Sequence, residues 1–464
     1  MNFLDTTTYL KPEEIEGEIP KFKKVAKDVM KIVWPSMLEG FLVALVTMFD
    51  GIQVASIGNN ANSAVTITKQ PIFLMISFIT AINIALTAIV SRRYGENDKE
   101  SVNKAMFEGI KISFIASLIL SIVVCLFSKQ LCLLMGATSN TIDYATTYLT
   151  IISAGFIFNA LRLTINACQR GIGKTKISMW TNLAANIVNV CLNYVLINGH
   201  FGFPKLGIAG AAIATIIGNA VAFIISFITI LLPNGYLKFN IKQFIKINVD
   251  SIKNIFNILP STLFDQLLIR FGFIIFALIV NYLGDDATYV HGICQDINSL
   301  MFTLADGFAI GTSAIIGHRL GEKRKDLAIV YAKVSMMISF VCAILVSIFV
   351  ITCREFLIGL YKPETTYRAE SAKTILLIAA IMMLPQNTSW VMTGVLRGSG
   401  DTKFTALVSL ICIVGVRPLS SLILCYPLQL GIIGAWIGMI FDQVVRLIMN
   451  SKRFRMKKWL QIKV

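Results

Sequence analysis

The stretch RGIGKTKISMWTNLAANIVNVCLNYVLINGHFGFP, Arg170 to Pro204, decides the fold. Its head carries Arg170, Lys174 and Lys176, and from Ile177 to Pro204 no formal charge follows. An uncharged run of this length crosses a hydrocarbon core of about 30 Å at about 1.5 Å per helical residue. The same reading applies from Leu206 to Leu237, Val334 to Cys353 and Thr374 to Leu396. Barrel strands would alternate polar and apolar residues, whereas these runs are apolar on all sides, so they read as helices. With 55% hydrophobic and 15% charged residues over 464, a soluble globular class is excluded.

The predicted spans are 32–55, 68–91, 107–128, 144–168, 178–199, 207–232, 256–282, 289–317, 331–353, 373–396, 404–427 and 431–450. The net charge of +16 sits in short clusters between them, from Lys21 to Lys31, at Arg92 and Arg93, at Arg319 to Lys325 and after Lys452. Every second loop is basic, which fits cytoplasmic loops with both termini in the cytoplasm and gives no continuous face for nucleic acid. No cleavable leader is visible, and the first span reads as the insertion signal. The nine cysteines, Cys125, Cys191, Cys342 and Cys412 among them, form no CxxC pair and read as small packing residues.

The chain repeats itself. Pro260-Ser261 lies 225 residues after Pro35-Ser36. Gly317-His-Arg-Leu-Gly-Glu lies 226 after Ser91-Arg-Arg-Tyr-Gly-Glu, and Arg397-Gly-Ser-Gly-Asp-Thr-Lys lies 227 after Arg170-Gly-Ile-Gly-Lys-Thr-Lys. Gly431-Ile-Ile-Gly-Ala answers Gly207-Ile-Ala-Gly-Ala. The expected architecture is therefore an all-α integral membrane protein, twelve transmembrane helices in two pseudo-symmetric six-helix bundles. An even number of spans per repeat relates the halves by an axis along the membrane normal. The expected divisions are a cytoplasmic segment 1–31, an N-lobe 32–233, a linker 234–255, a C-lobe 256–450 and a basic tail 451–464.

Two further stretches stand out: Phe49-Asp50-Gly-Ile-Gln-Val-Ala-Ser-Ile-Gly58, and Asn186-Ile-Val-Asn-Val-Cys-Leu-Asn193 with Gly202-Phe-Pro-Lys-Leu-Gly-Ile-Ala-Gly-Ala-Ala-Ile-Ala-Thr215. Together with the early proline of each half and the duplicated Arg-Gly-x-Gly-x-Thr-Lys, they resemble the multidrug and toxic compound extrusion (MATE) family, from Ile32 to about Asn450. The resemblance implies an antiporter of the cell membrane that exports organic, often cationic compounds against H⁺ or Na⁺. It implies no cofactor beyond that coupling ion, no enzymatic activity, and the lipid bilayer and small substrates as partners. A functional monomer is expected.

Asp50 is the leading candidate for cation coupling. A carboxylate within a span costs roughly 2.5–3.5 kcal/mol on insertion scales, so its presence requires a reason. A bound proton or Na⁺ would remove the charge; the alternative is an acid solvated at the outer helix end. By resemblance, Asn189, Asn193 and Thr215 join Asp50 in the cation site, with Asn193 standing where some branches have Asp. Asn182, Asn186, Asn189 and Asn193 form one polar stripe that must face protein or water, with Asn186 a candidate cavity residue; the alternative is hydrogen bonding between helices. Glu39 shares a face with Asp50 about 16 Å along the axis, and either lines the cavity or faces a cytoplasmic vestibule.

In the second half, Asp265, Arg270, Asp306 and Asn387 are candidate cavity residues. Asp265 and Arg270 do not face each other, so Asp265 pairs with Asp306 or with another helix. One branch of the family has an Asp where Asn387 stands, so its sodium site is not reproduced here. Asp442 and Arg446 read as an ordinary pair on a helix surface. No metal site beyond Na⁺ at Asp50 is expected, and His200, His291 and His318 are scattered. A flippase for lipid-linked oligosaccharide is the alternative carrier; it would need cationic side chains for pyrophosphate, at which only Arg270 and Arg417 hint. Channel filter loops, a paired nucleophile and base, and the charged second loop of the major facilitator superfamily are not found.

Overall fold

Backbone in hydrocarbon must satisfy its own amide and carbonyl groups, and an isolated apolar segment does so as a helix. The computed structural model describes residues 5–55, 57–233, 235–361 and 365–462. Among these described residues no strand occurs, and eleven helices are long and apolar enough to cross a membrane. The remaining span is a bent pair, Ile142–Ala154 and Phe156–Gly171, turned by 48°. The bend sits at Gly155, where a Cβ would lie 2.5 Å from the Ile216 side chain. With that pair counted as one span, the twelve predicted spans are present among the described residues, the fourth of them broken.

The first six are Phe22–Ala55, Asn59–Gly95, Lys99–Leu126, the bent pair, Thr175–Asn198 and Gly207–Leu231. The second six are Val249–Asn281, Asp285–Gly321, Lys325–Gly359, Thr366–Ser399, Thr402–Cys425 and Gly431–Arg455. Most outrun their apolar cores. The first begins at Phe22, ahead of the expected start at 32, because Val25, Val29 and Val33 form a buried stripe while Lys23, Lys24 and Lys27 stay exposed.

The chain divides into two compact units, Leu38–Leu259 and Met1–Met37 with Pro260–Val464. Both borders lie beside the repeated prolines, Pro35 and Pro260. A helix-interior proline removes one backbone hydrogen bond, which makes these natural places for a helix to change surroundings. Residues 32–37, grouped with the first lobe by the repeat, pack in the unit that holds the second half of the chain. There Val33 shares an apolar cluster with Phe308, Ile315 and Leu327.

Within Leu38–Leu259 the fifth span packs on the sixth, and the second packs on the third and fourth. Within the other unit the tenth span is central and touches the eighth, ninth and twelfth. Its buried Leu376, Ala379, Met383, Val391 and Val395 account for that position. The eleventh span carries a π-helical turn, Leu410–Val416, immediately before Arg417. Such a turn re-aims the side chains that follow it.

Candidate functional site

Asp50 lies near the end of the first span and is partly buried. Asn193 Nδ2 donates to Asp50 Oδ1 at 2.9 Å. Asn189 is assigned with its amide nitrogen toward Asp50, since the opposite orientation would face its carbonyl oxygen to a carboxylate. That nitrogen then donates to the two carboxylate oxygens at 2.7 and 3.2 Å, and its oxygen accepts from Thr215 Oγ1 at 3.1 Å. The structure therefore brings Asp50, Asn189, Asn193 and Thr215 into one cluster. Close approach of the sixth span underlies it: a Cβ on Gly218 would meet Ala185 O at 2.8 Å and Asn189 Cβ at 3.3 Å. Beside the cluster, Val54, Ile197 and Ala211 form an apolar floor with Tyr148 packed against it.

The partners of Asp50 in this cluster are neutral amides. Asn193 Oδ1 is buried and accepts no hydrogen bond. A carboxylate, an orphaned amide oxygen and a nearby hydroxyl form an oxygen-rich donor set suited to a hard monovalent cation or a proton.

Glu39 occupies a second cluster. Its Oε1 accepts from Ser178 Oγ at 2.9 Å, from Asn182 Nδ2, and from Arg170 Nη1 at 3.5 Å. Arg162 donates to Asn182 Oδ1 and, at 2.7 Å, to Asn159 Oδ1. Glu39 thus sits in a two-arginine network. Glu39 meets Asn182 and Asp50 meets Asn193 at the same sequence separation of 143. The first and fifth spans therefore run parallel and in register, and the expected shared face of the two acids is real. Asn186 lies between the clusters, its buried Nδ2 without a hydrogen-bond partner.

In the other unit Asp265 Oδ2 accepts from Arg397 Nη2 at 2.8 Å. Its partner is on another helix and is neither Asp306 nor Arg270. Asp306 instead accepts from Trp390 Nε1 at 3.1 Å. Asn387 is 1% exposed, with both amide atoms lacking hydrogen-bond partners, and Arg270 is half-buried. Arg397 also lies over the Trp390 ring, 5.6 Å from its centroid, so Asp265 and Asp306 are joined through Arg397 and Trp390.

The surface reading of Asp442 and Arg446 is corrected: the two are 0% and 2% exposed. Arg417 donates to Asp442 Oδ2 through Nε at 2.9 Å and also through Nη2. Arg446 Nη2 lies 3.7 Å from Asp442 Oδ1. Spacing of four places the last pair on one helix face but says nothing about what covers that face; the π-helical turn and Arg417 do. Arg162 was the residue missed. A lone arginine inside the fourth apolar run was its signal, because a charge there demands a partner.

The MatE family model matches residues 35–195 and 261–423, one stretch in each half. The chain is 27% identical over 437 residues to "Uncharacterized transporter YisQ" of Bacillus subtilis, covering 93% of this chain and 95% of that protein. It is 25% identical to "Probable multidrug resistance protein NorM" of Thermotoga maritima, covering 97% and 95%. Its fold is that of a solved multidrug resistance MATE family transporter of the MOP superfamily in the outward-facing conformation, with TM-score 0.87 at 18% identity, covering 95% and 98%. A MOP superfamily transporter from Pyrococcus furiosus superposes with the same TM-score at 19% identity, covering 95% and 97%. The duplicated match, spanning both helix bundles, makes this chain a multi-pass membrane transporter of the MatE family.

Proposed function

We propose that the protein is a secondary-active exporter of organic, often cationic compounds, driven by H⁺ or Na⁺ entering through the Asp50 cluster. The observation that carries this reading is a carboxylate inside a spanning bundle whose hydrogen-bond donors, Asn189 and Asn193, bring no charge. Neutral donors orient the anion but leave its charge uncompensated in a medium that penalises charge. A proton or Na⁺ removes that penalty, and Asn193 Oδ1 and Thr215 Oγ1 supply additional oxygens. A cationic substrate would serve the same carboxylate. Exclusive occupancy then makes entry of one cation and exit of the other alternate, which is antiport.

Relatives named as multidrug resistance proteins support the substrate class. The positive-inside pattern of the loops supports a cell-membrane location with both termini in the cytoplasm. Arg417, which a pyrophosphate carrier would present to its substrate, is engaged by Asp442, so the flippase reading gains nothing. In proteoliposomes, a ΔpH and a sodium gradient imposed separately will identify the driving ion through uptake of a fluorescent cationic dye. Asp50→Asn is expected to abolish gradient-dependent movement while the protein remains folded. Unchanged kinetics in that variant reject the coupling role.

A further inference from the structure

The segment between the two halves of the chain is strapped onto the third span by its own polar groups. Lys238 N donates to Asn103 Oδ1 at 2.7 Å, and Asn103 Nδ2 donates to Tyr236 O at 3.3 Å. Asn248 N donates to Glu108 Oε1 at 2.9 Å, and Lys111 Nζ donates to Lys246 O at 3.1 Å. Edge-to-face contacts of Phe107 with Phe239 and Phe244, at 5.9 and 6.0 Å, hold the apolar side.

This strapping borders a half-open cavity of about 440 Å³ whose walls include Phe114, Leu161, Phe227, Phe239 and Phe244. Lys111 is the one charged residue among those lining it. The outer side of the segment mixes two kinds of residue. Ile241, Ile245, Ile247 and Val249 are 58–72% exposed, which water alone would penalise. Lys238, Lys242 and Lys246 are interleaved with them and exposed as well. From Gly235 to Lys253 the segment carries Lys238, Lys242, Lys246 and Lys253 against Asp250 alone. Exposed apolar side chains alternating with lysines suit the headgroup boundary of a bilayer, where the apolar groups enter the acyl region and the amines meet phosphate.

We propose that this cavity and its lysine-bearing edge form a binding site for one anionic phospholipid, an acyl chain among the phenylalanines and the phosphate at Lys242 and Lys246. The site lies wholly within Leu38–Leu259 and is separate from the Asp50 cluster. A cationic export substrate is disfavoured there by the same lysines, whereas an anionic headgroup is attracted.

The test uses the full-length chain in detergent with phosphatidylglycerol or phosphatidylcholine, read by native mass spectrometry and thermal unfolding without any transport measurement. Phosphatidylglycerol is expected to be retained and stabilising in preference to phosphatidylcholine. The variant Lys242→Gln with Lys246→Gln should lower that preference by about fivefold per lysine. Leu161→Trp, which fills the cavity, should reduce retention while leaving the lysines in place. Equal retention of the two lipids overturns the proposal, as does an unaltered preference in the double variant. Stabilisation by glycerol phosphate equal to that by phosphatidylglycerol would show a phosphate site without a lipid and also overturns it.

Discussion

Asp265 accepts a hydrogen bond from Arg397 at 2.8 Å, joining the first helix of the second repeat to the repeated Arg-Gly-x-Gly-x-Thr-Lys motif. The other half of the chain makes the corresponding connection between Glu39 and Arg170. Asp265 lies 226 residues after Glu39 and Arg397 lies 227 after Arg170, within the spread of the repeat offsets. An acid just past the helix-interior proline therefore anchors the motif arginine in each bundle. Fixing a largely buried guanidinium in this way avoids the cost of an unpaired charge in the membrane.

Removal of one partner should accordingly be worse than removal of both. Arg397→Met is expected to destabilise by about 3–5 kcal/mol, because Asp265, 1% exposed at its side chain, keeps a buried charge. Adding Asp265→Leu should recover most of that loss. Thermal unfolding of the detergent-solubilised variants decides; additive losses would show that the pair is not a unit.

Glu39 accepts from Arg170 directly and is linked to Arg162 through Asn182. Glu39→Gln should destabilise by about 3 kcal/mol or more, since two arginines then lack a counter-charge. Arg162→Met should cost less, because Glu39 retains Arg170 and Ser178. The order of the two unfolding midpoints is the measurement, and a reversed order contradicts the network.

The Asp50 cluster contains one carboxylate where Asn193→Asp would supply two. The second acid lies within hydrogen-bond distance of Asp50, so the pair should hold Na⁺ more tightly by about tenfold, or roughly 1.4 kcal/mol of added attraction. The sodium concentration giving half-maximal dye movement in proteoliposomes reports this. An unchanged value would mean that Na⁺ does not bind at the Asp50 cluster.

Gly218→Ala tests the close approach that positions Asn189. The added methyl meets Ala185 O and Asn189 Cβ, which forces the fifth and sixth spans apart at a cost of about 1–3 kcal/mol. Gradient-driven transport is expected to fall further than the loss of folded protein accounts for. Equal losses would mean that the glycine serves packing alone.

Outside the spans, Asp98 caps the third helix by accepting from Ser101 N at 3.0 Å. The side chain and backbone amide of Ser101 hold its carboxyl below the ordinary range. The unfolded state thus takes up the proton first, and the cap stabilises fully above the ordinary carboxylate pKa and is lost as pH falls through the depressed folded value. Asp98→Ala should cost about 1 kcal/mol at neutral pH and nothing at strongly acidic pH, read by thermal unfolding at the two pH values.

Twelve spans, two repeats and the asparagine stripe of the fifth span were legible in the linear order, whereas the grouping of Asn189, Asn193 and Thr215 with Asp50 came from the family resemblance. Uncharged runs have one stable form in hydrocarbon, and helical spacing fixes which polar residues share a face, as with Asn182, Asn189 and Asn193. Which residues cover a face is a different matter, because it depends on helices far apart in sequence. Only the tertiary structure brought Arg417 over Asp442 and Arg446, turned Asp265 to Arg397, and folded Phe239 and Phe244 of the linker onto Phe107. Those choices are made by packing between distant segments: a buried charge must find a counter-charge wherever the fold provides one, and local periodicity carries no record of where that is.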